Sequence, residues 1–494
     1  MSAAARARRA LRSVVERTVL GARPVDRGPV VQRRLAELTR ALDLSGPDPR
    51  AAVLAFLAGG ADAVWLTTAT LHARFPHAND VVATQRALEL DGPENVLAAI
   101  EATVPADRVD VDVTVVRGAV LVDVHQAASS PFTTGIQRVT LEAARGWMRE
   151  HGAEPVVWDP SFNCLHEPSA AQSDRVDPGG EATGSRRAIV PWDCTYLLPE
   201  VALDRERSAR IHALSLHARC RTGAVVHDMV PITLAETTDT GVSADFAGYL
   251  VALRAMDRLA AVSDATRREV EGWLTMIKAA GHTGPEVGTV RLATVAAEPS
   301  DAALAEARDL HAVPGSPLVL CVGSHEPRKN HVAVLRAAQI LWRRGLHFNL
   351  LFVGGNAWGG ATFRRALAGA VADGEPIEVL TNIGEEQLWA LYRLARCTVF
   401  PSISEGFGLP SAESLASGTP VVTSNFGAMA EVAVDGGALV VDPRDTLAVA
   451  DAMADLLTDD ALHARLVAEA HARPRRSWSQ YAEEAWQQLT TPRP

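Results

Sequence analysis

The 494-residue chain is short of cysteine, of aromatic residues and of positive charge. Its five cysteines, Cys164, Cys194, Cys220, Cys321 and Cys397, are odd in number, and none stand at Cys-x-x-Cys spacing. A disulfide framework or a structural zinc site is therefore not expected, and reduced thiols fit a cytosolic protein. Acidic residues outnumber basic ones by 59 to 48, for a formal net charge of −11. That balance excludes a general nucleic-acid binder, whose phosphate contacts need a basic surface. No apolar run approaches the ~18–20 uninterrupted residues of a membrane-crossing helix. What the chain does hold is apolar residues, at 47% of the total. That is too many for a mainly disordered protein, and the length suits two to four domains of roughly 100–200 residues.

Residues 1–27 read as a basic arm: Met1 to Val25 carries Arg6, Arg8, Arg9, Arg12, Arg17 and Arg23 but no apolar core, so it does not read as a secretory signal. Two readings stay open for this basic arm: a solvated tail, and an amphipathic helix in peripheral contact with anionic lipid. Residues 28–110 read as a small helical domain without visible chemistry. Leu35, Leu38 and Leu42 recur at helical spacing, as do Val53, Leu54 and Leu57. Breaks fall at Gly46-Pro47, Gly59-Gly60, Phe75-Pro76 and Gly92-Pro93.

From residue 111 the pattern becomes α/β. Short β-rich runs at 113–116 and 120–124 lead through a polar loop into a helical stretch at 136–148. Ala224-Val-Val226 precedes His227-Asp-Met-Val-Pro231, and Leu259–Ser263 precedes a helical run from Asp264 to Met276. Residues 161–190, rich in Ser, Gly, Pro and charge, read as a surface loop. The first α/β domain is placed at 111–296 and the second at 297–476, with 294–316 as the connection. Residues 477–494 read as a helix crossing back to the first α/β domain. Strand candidates in the second domain are 318–322, 349–353, 398–400, 420–422 and 438–441, with helices between most of them. The expected fold class is α/β, with two Rossmann-like doubly wound domains facing across a cleft behind the helical domain.

Two segments carry chemistry. Pro401-Ser-Ile-Ser-Glu-Gly-Phe-Gly-Leu-Pro-Ser-Ala-Glu413 follows a strand and leads into a helix. Gly406 and Gly408 let the backbone approach a ligand and expose N–H groups near a helix N-terminus, which suits a diphosphate. Pro410 and the glycines rule against one helix spanning Glu405 and Glu413, so the two carboxylates are expected on different parts of one ligand. The second segment is Cys321-Val-Gly-Ser-His-Glu-Pro-Arg-Lys-Asn-His331. There Arg328 and Lys329 supply cationic charge where a leaving diphosphate gains negative charge. No Gly precedes Lys329 and Asn330 follows it, so this is not a P-loop. Asp110-Val-Asp112 is an Asp-x-Asp ahead of the first strand and reads as a solvated strand start rather than a metal site.

These residues resemble the retaining GT-B glycosyltransferases, the large family that includes sucrose and glycogen synthases and bacterial mannosyltransferases. The carrying pieces are Val322-Gly323 with Glu326-Pro-Arg-Lys-Asn330, Phe352-Val-Gly-Gly355, Phe400-Pro-Ser402, Glu405-Gly-Phe-Gly-Leu-Pro410 with Glu413, and Gly418-Thr-Pro-Val-Val422. In the first α/β domain, Thr134-Gly-Ile-Gln-Arg138, His227–Pro231 and Val262–Arg267 resemble pieces of a bacterial surface-polysaccharide branch. The resemblance spans about 118–490. Outside it, Leu71–Pro76 weakly resembles helical modules attached to surface-glycan enzymes, which implies a protein-binding role for the helical domain.

The resemblance implies transfer of a hexose, mannose favoured, from a nucleotide diphosphate sugar (GDP- or UDP-linked) to a glycan or lipid-linked glycan. No metal and no separate cofactor is implied, and the location implied is the cytoplasm or the inner membrane face. Glu405, Lys329 and His227 take the catalytic positions: Glu405 on hydroxyls of the transferred sugar, Lys329 with Arg328 on the diphosphate, His227 against the sugar. Gly135, Gly323, Gly406, Phe407, Gly408 and Leu409 line the phosphates and sugar, and Glu413 takes the ribose. Many relatives have an Arg after the strand glycine where this chain has Ser324, which leaves Arg328 or Arg138 as substitutes. Two alternatives remain: a nucleotide-sugar epimerase on the same plan and a non-catalytic scaffold subunit.

Overall fold

The computed structural model describes residues 26–44, 48–131, 134–179 and 187–491. The basic arm up to residue 25 and the Gly46-Pro47 break lie outside these residues. The chain forms two compact units, one of residues up to Val116 with 186–190, the other of the remainder.

The first unit is helical, with helices at Gly28–Ala41, Pro49–Leu57, Ala61–His72 and Ala78–Ala102. Leu35, Leu38, Val53, Leu57, Trp65, Leu71, Phe75 and Leu97 are fully buried in it. Gly92 takes φ +79° and kinks the last helix ahead of Pro93. Arg34 is buried too, and its guanidinium is spent on backbone, with bonds to the carbonyls of Leu71 (2.6 Å), Val111 (2.7 Å) and Arg108. Strand β1 (Val113–Arg117) closes the unit against the start of β5 (Ala188–Trp192).

The second unit holds two α/β sheets. In the first, β2 (Val120–Asp123), β3 (Glu154–Trp158), β4 (Leu165–His166), β6 (Thr195–Leu198), β7 (Arg221–Val226), β8 (Arg258–Ala261) and β9 (Glu286–Thr289) run in the order β4-β3-β2-β6-β7-β8-β9. All neighbours are parallel except β4, which returns antiparallel on β3. In the second, β10 (Leu318–Val322), β11 (Asn349–Val353), β12 (Ile377–Leu380), β13 (Cys397–Phe400), β14 (Val421–Ser424) and β15 (Ala438–Val441) are all parallel, in the order β12-β11-β10-β13-β14-β15. Written within that sheet, the order is 3-2-1-4-5-6, which reverses between β10 and β13. Ligands of doubly wound sheets sit beyond the carboxyl ends of the strands at that reversal.

Two expectations need correction. The stretch 161–190 is not one surface loop: it holds β4, a helix at Ala170–Val176 capped by Ser169 with Gln172, and the start of β5. Its polar composition hides these short elements, of which β4 exists by pairing with β3. The stretch 294–316 is not only a connection. Ser300 caps a helix at Asp301–His311, and its Ala307 is buried in one cluster with Leu320, Trp389 and Tyr392 of the second sheet. At the other end, the helix Trp478–Thr490 lies on the helix Gly135–His151 of the first sheet. There Trp147 Nε1 donates to the Ala482 carbonyl at 2.7 Å, and a Cβ on Gly146 would come within 2.6 Å of the Ala482 methyl.

Candidate functional site

The loops after β10 and β13 are bolted together at the sheet's reversal point. Gly323 (φ +147°) ends β10, and a Cβ on the neighbouring Gly354 would fall 2.0 Å from the Gly323 carbonyl oxygen. Only glycine permits that approach. Pro327 then starts a single 3-10 turn through Lys329, and Asn330 leaves it in the left-handed region at φ +60°. The Asn330 amide donates to the Pro401 carbonyl (3.1 Å) and the Pro443 carbonyl (2.7 Å). The Arg328 carbonyl accepts from Ile403 N (2.8 Å) and Ser402 Oγ (3.0 Å). The turn carrying both cations is therefore fixed by backbone to the loop carrying Glu405.

On that frame, Lys329 Nζ lies 2.6 Å from Glu405 Oε1, and an Arg328 guanidinium nitrogen lies 2.7 Å from Oε2. Ser402 Oγ donates to Oε1 at 2.8 Å. Burial alone would raise the Glu405 carboxyl, but Arg328 and Lys329 outweigh it and hold the carboxyl down to about 2. Lys329 Nζ also stands 5.1 Å from the centre of the Phe400 ring. Arg328 reaches back to Glu326 at 2.8 Å, and Ser324, at the position where relatives carry Arg, donates to the same carboxylate.

Gly408 (φ +93°) precedes the helix Leu409–Ala416, so Gly406, Phe407 and Gly408 form the turn that leads from Glu405 into its N-terminus. Glu405 lies in the loop and Glu413 inside the helix. Glu413 faces a different set of partners: Arg138 at 2.9 Å and the Tyr392 hydroxyl at 3.0 Å. Its burial raises the carboxyl despite Arg138. Arg138 itself lies against the rings of Trp389 and Trp478, at 5.7 and 5.6 Å, and reaches Glu385 at 3.4 Å. Of the two substitutes for the missing Arg, Arg328 therefore stands on Glu405 and Arg138 on Glu413.

The first sheet meets this loop directly. A Cβ on Gly406 would lie 1.6 Å from the His227 carbonyl oxygen, and a Cβ on Gly135 would lie 3.1 Å from Leu409. Ser263 caps the helix Asp264–Ala279 through the Thr266 amide, and the same hydroxyl donates to the Gly406 carbonyl at 2.6 Å. Thr266 adds a second bond to that carbonyl at 3.1 Å. His227 is buried, and its Nε2 donates to the Pro199 carbonyl at 2.8 Å. Burial lowers it to about 4, so the ring is neutral near pH 7. Asp228 closes an Asx turn on Val230 N at 3.1 Å. Phe407 is buried in the cluster that joins the two sheets.

The structure thus gathers Lys329, Arg328 and Glu405, and brings the His227 backbone against Gly406 and Gly135 against Leu409 in the loop and helix that follow. Sequence reasoning gave no role to Asn330, Ser402 and Ser263, although all three lie inside the motif segments, and it did not single out Tyr392. Asn330, after a Pro-led turn, is a residue that tolerates the left-handed region.

Residues 305–473 match the family described as glycosyl transferases group 1. The chain is 27% identical over 338 residues to the serotype-specific mannosyltransferase WbdA of Escherichia coli, covering 63% of this chain and 39% of that protein. It therefore spans about two-fifths of that relative's length. Sucrose-phosphate synthase from Thermosynechococcus elongatus superposes with TM-score 0.54 at 18% identity, covering 75% of this chain and 98% of the other. HepE from Anabaena, solved with UDP and glucose, superposes with TM-score 0.55 at 13% identity, covering 76% and 100%. Residues 305–473 thus match the glycosyl transferases group 1 family, and the chain's two Rossmann-like domains have the GT-B fold.

Proposed function

We propose that the chain is a retaining glycosyltransferase that moves a hexose from a nucleotide diphosphate sugar onto a glycan or lipid-linked glycan. The observation that carries this reading is the placement of Lys329 and Arg328 on Glu405, directly before the glycine turn into a helix, at the reversal of a doubly wound sheet. GDP-mannose is the favoured donor, supported by a relative named as a mannosyltransferase. UDP-sugars come second, since HepE was solved with UDP and glucose.

The cluster is charge-balanced as it stands, Arg328 and Lys329 against Glu326 and Glu405. An arriving diphosphate adds negative charge, so Lys329 turns to the phosphate and Glu405 exchanges that contact for sugar hydroxyls. The helix amides take a further share of the phosphate charge. In the transfer, the departing diphosphate oxygen accepts the proton of the incoming hydroxyl on the same face of the sugar. Lys329 and Arg328 stabilise the charge that develops on the leaving group, which makes the step independent of a metal ion. Glu413 takes the ribose, with Arg138 and Tyr392 holding the carboxylate in place. His227, neutral and fixed by Pro199, presents its face to the sugar. The work is placed at the cytoplasmic side, with residues 1–110 as a docking module for a protein partner or the membrane surface.

Purified protein offered GDP-mannose, UDP-glucose and other nucleotide sugars with a glycan acceptor should yield an extended product by mass spectrometry. Neither binding nor turnover of any donor would overturn the reading, and acceptor-free conversion of the donor sugar would replace it with an epimerase.

A further inference from the structure

We propose that Asp159, Cys164 and His166 form a zinc site that staples the β3–β4 hairpin. The hairpin is tight: Val157 pairs with His166 and Trp158 with Leu165, and Asp159 N donates to the Cys164 carbonyl at 3.2 Å. The pairing brings three different ligand types to one point. Cys164 Sγ lies 3.8 Å from Asp159 Oδ2 and 3.3 Å from His166 Nε2, and those two atoms are 3.9 Å apart. A triangle of those sides has a centre about 2.1 Å from each corner, inside the ~2.0–2.3 Å range of zinc bonds to oxygen, nitrogen and sulfur.

The surroundings fit a built site. Cys164 is fully buried. Asp159 is oriented by two amides, its Oδ1 accepting from Ser161 N at 3.0 Å and Asn163 N at 2.8 Å, which turns Oδ2 toward the sulfur and the imidazole. One sulfur, one nitrogen and one oxygen favour zinc over magnesium or calcium, which prefer oxygen ligands. A bound zinc would sit slightly out of the plane of the three atoms with a water as its fourth ligand, and binding would release the thiol proton to solvent. The spacing Asp-x4-Cys-x-His contains one cysteine only, which is why a search for paired cysteines passes over it. The staple has a local consequence. It fixes the loop that holds Phe162 at φ +53° with its ring 5.3 Å from His125, and His125 Nδ1 accepts from Trp158 N at 3.1 Å. This site lies at the carboxyl end of β3, and its occupancy does not depend on the donor reading.

The test uses the full chain, purified without a polyhistidine tag. Elemental analysis should find about one zinc per chain. Replacing zinc by Co2+ should give a thiolate-to-metal charge-transfer band that Cys164→Ser abolishes and Cys220→Ser keeps. If Cys164→Ser does not fold, alkylation of the wild type decides: chelation should raise the labelling of Cys164 about tenfold and leave the other four cysteines unchanged. Absence of both zinc and the cobalt band would overturn the proposal, as would a band that survives in folded Cys164→Ser or labelling of Cys164 indifferent to chelator.

Discussion

The two α/β domains each place an arginine between two carboxylates, and the two arrangements differ in what surrounds them. In the first domain, Arg207 bonds Asp123 at 2.8 Å and Glu200 at 2.5 Å, with side chains 1%, 0% and 0% exposed. Trp158 and Tyr196 fill the other Asp123 oxygen, and the amides of Gln126 and Ala127 fill Glu200. Burial works against ionisation of Asp123, but Arg207 and its hydrogen bonds outweigh it and lower the carboxyl. In the second domain, Arg328 stands between Glu326 and Glu405 with 16% of its side chain exposed, and Lys329 adds a second cation. A sealed network has no capacity for a ligand. An accessible one at a strand-end reversal can exchange partners. Motif content alone does not separate these cases; exposure and topology do.

Breaking the comparison on its sealed side should have the largest effect. Arg207→Ala strands two buried carboxylates and should lower folding stability by about 3–5 kcal/mol in denaturant titration. Arg328→Ala should cost the fold far less while abolishing donor use. Equal stability losses in the two variants would erase the distinction.

Acid sharpens it next. Burial among Phe352, Phe363 and His325 holds His331 down to about 3, directly after the turn that carries Arg328 and Lys329. The folded state keeps this ring neutral while the unfolded chain protonates it below about 6.5. Its contribution to stability is therefore complete above that pH and is lost as pH falls toward the folded value. A scan from pH 7 to pH 4 should show Tm falling, and His331→Leu should recover about 3 kcal/mol of that loss at pH 4. A pH profile unchanged by the substitution would contradict the assignment.

The contact between the two domains is the smaller target. Gly406→Ala drives a methyl into the His227 carbonyl and should cost about 1–3 kcal/mol, with loss of the Ser263 and Thr266 bonds. Wild-type stability in that variant would mean the contact is not held in solution.

Much of the candidate site around Glu405 was legible because its pieces are local. Pro327–Asn330 follows one strand and Glu405–Glu413 another, so glycine, cation and carboxylate positions could be read within short windows. The pairing of Arg138 with Glu413, 275 residues apart, had no such window, nor did the Asp123–Arg207–Glu200 network. Strand β12 went unnoticed because Ile377–Leu380 is half exposed and carries Glu378, breaking the apolar run that marks a central strand. The hairpin of β3 and β4 was hidden by a polar stretch whose two-residue strand exists only by pairing.

The central claim is that Lys329 and the glycine loop grip a nucleotide diphosphate while Glu405 attends the sugar. Calorimetric titration of GDP and UDP into wild type, Lys329→Ala and Glu405→Gln tests it most directly. At least one nucleotide should bind the wild type, and Lys329→Ala should weaken it by about tenfold to a hundredfold, the cost of one charge-assisted contact. Glu405→Gln should leave the free nucleotide bound and lose the added affinity of the matching nucleotide sugar. Nucleotide affinity identical in wild type and Lys329→Ala would contradict the account.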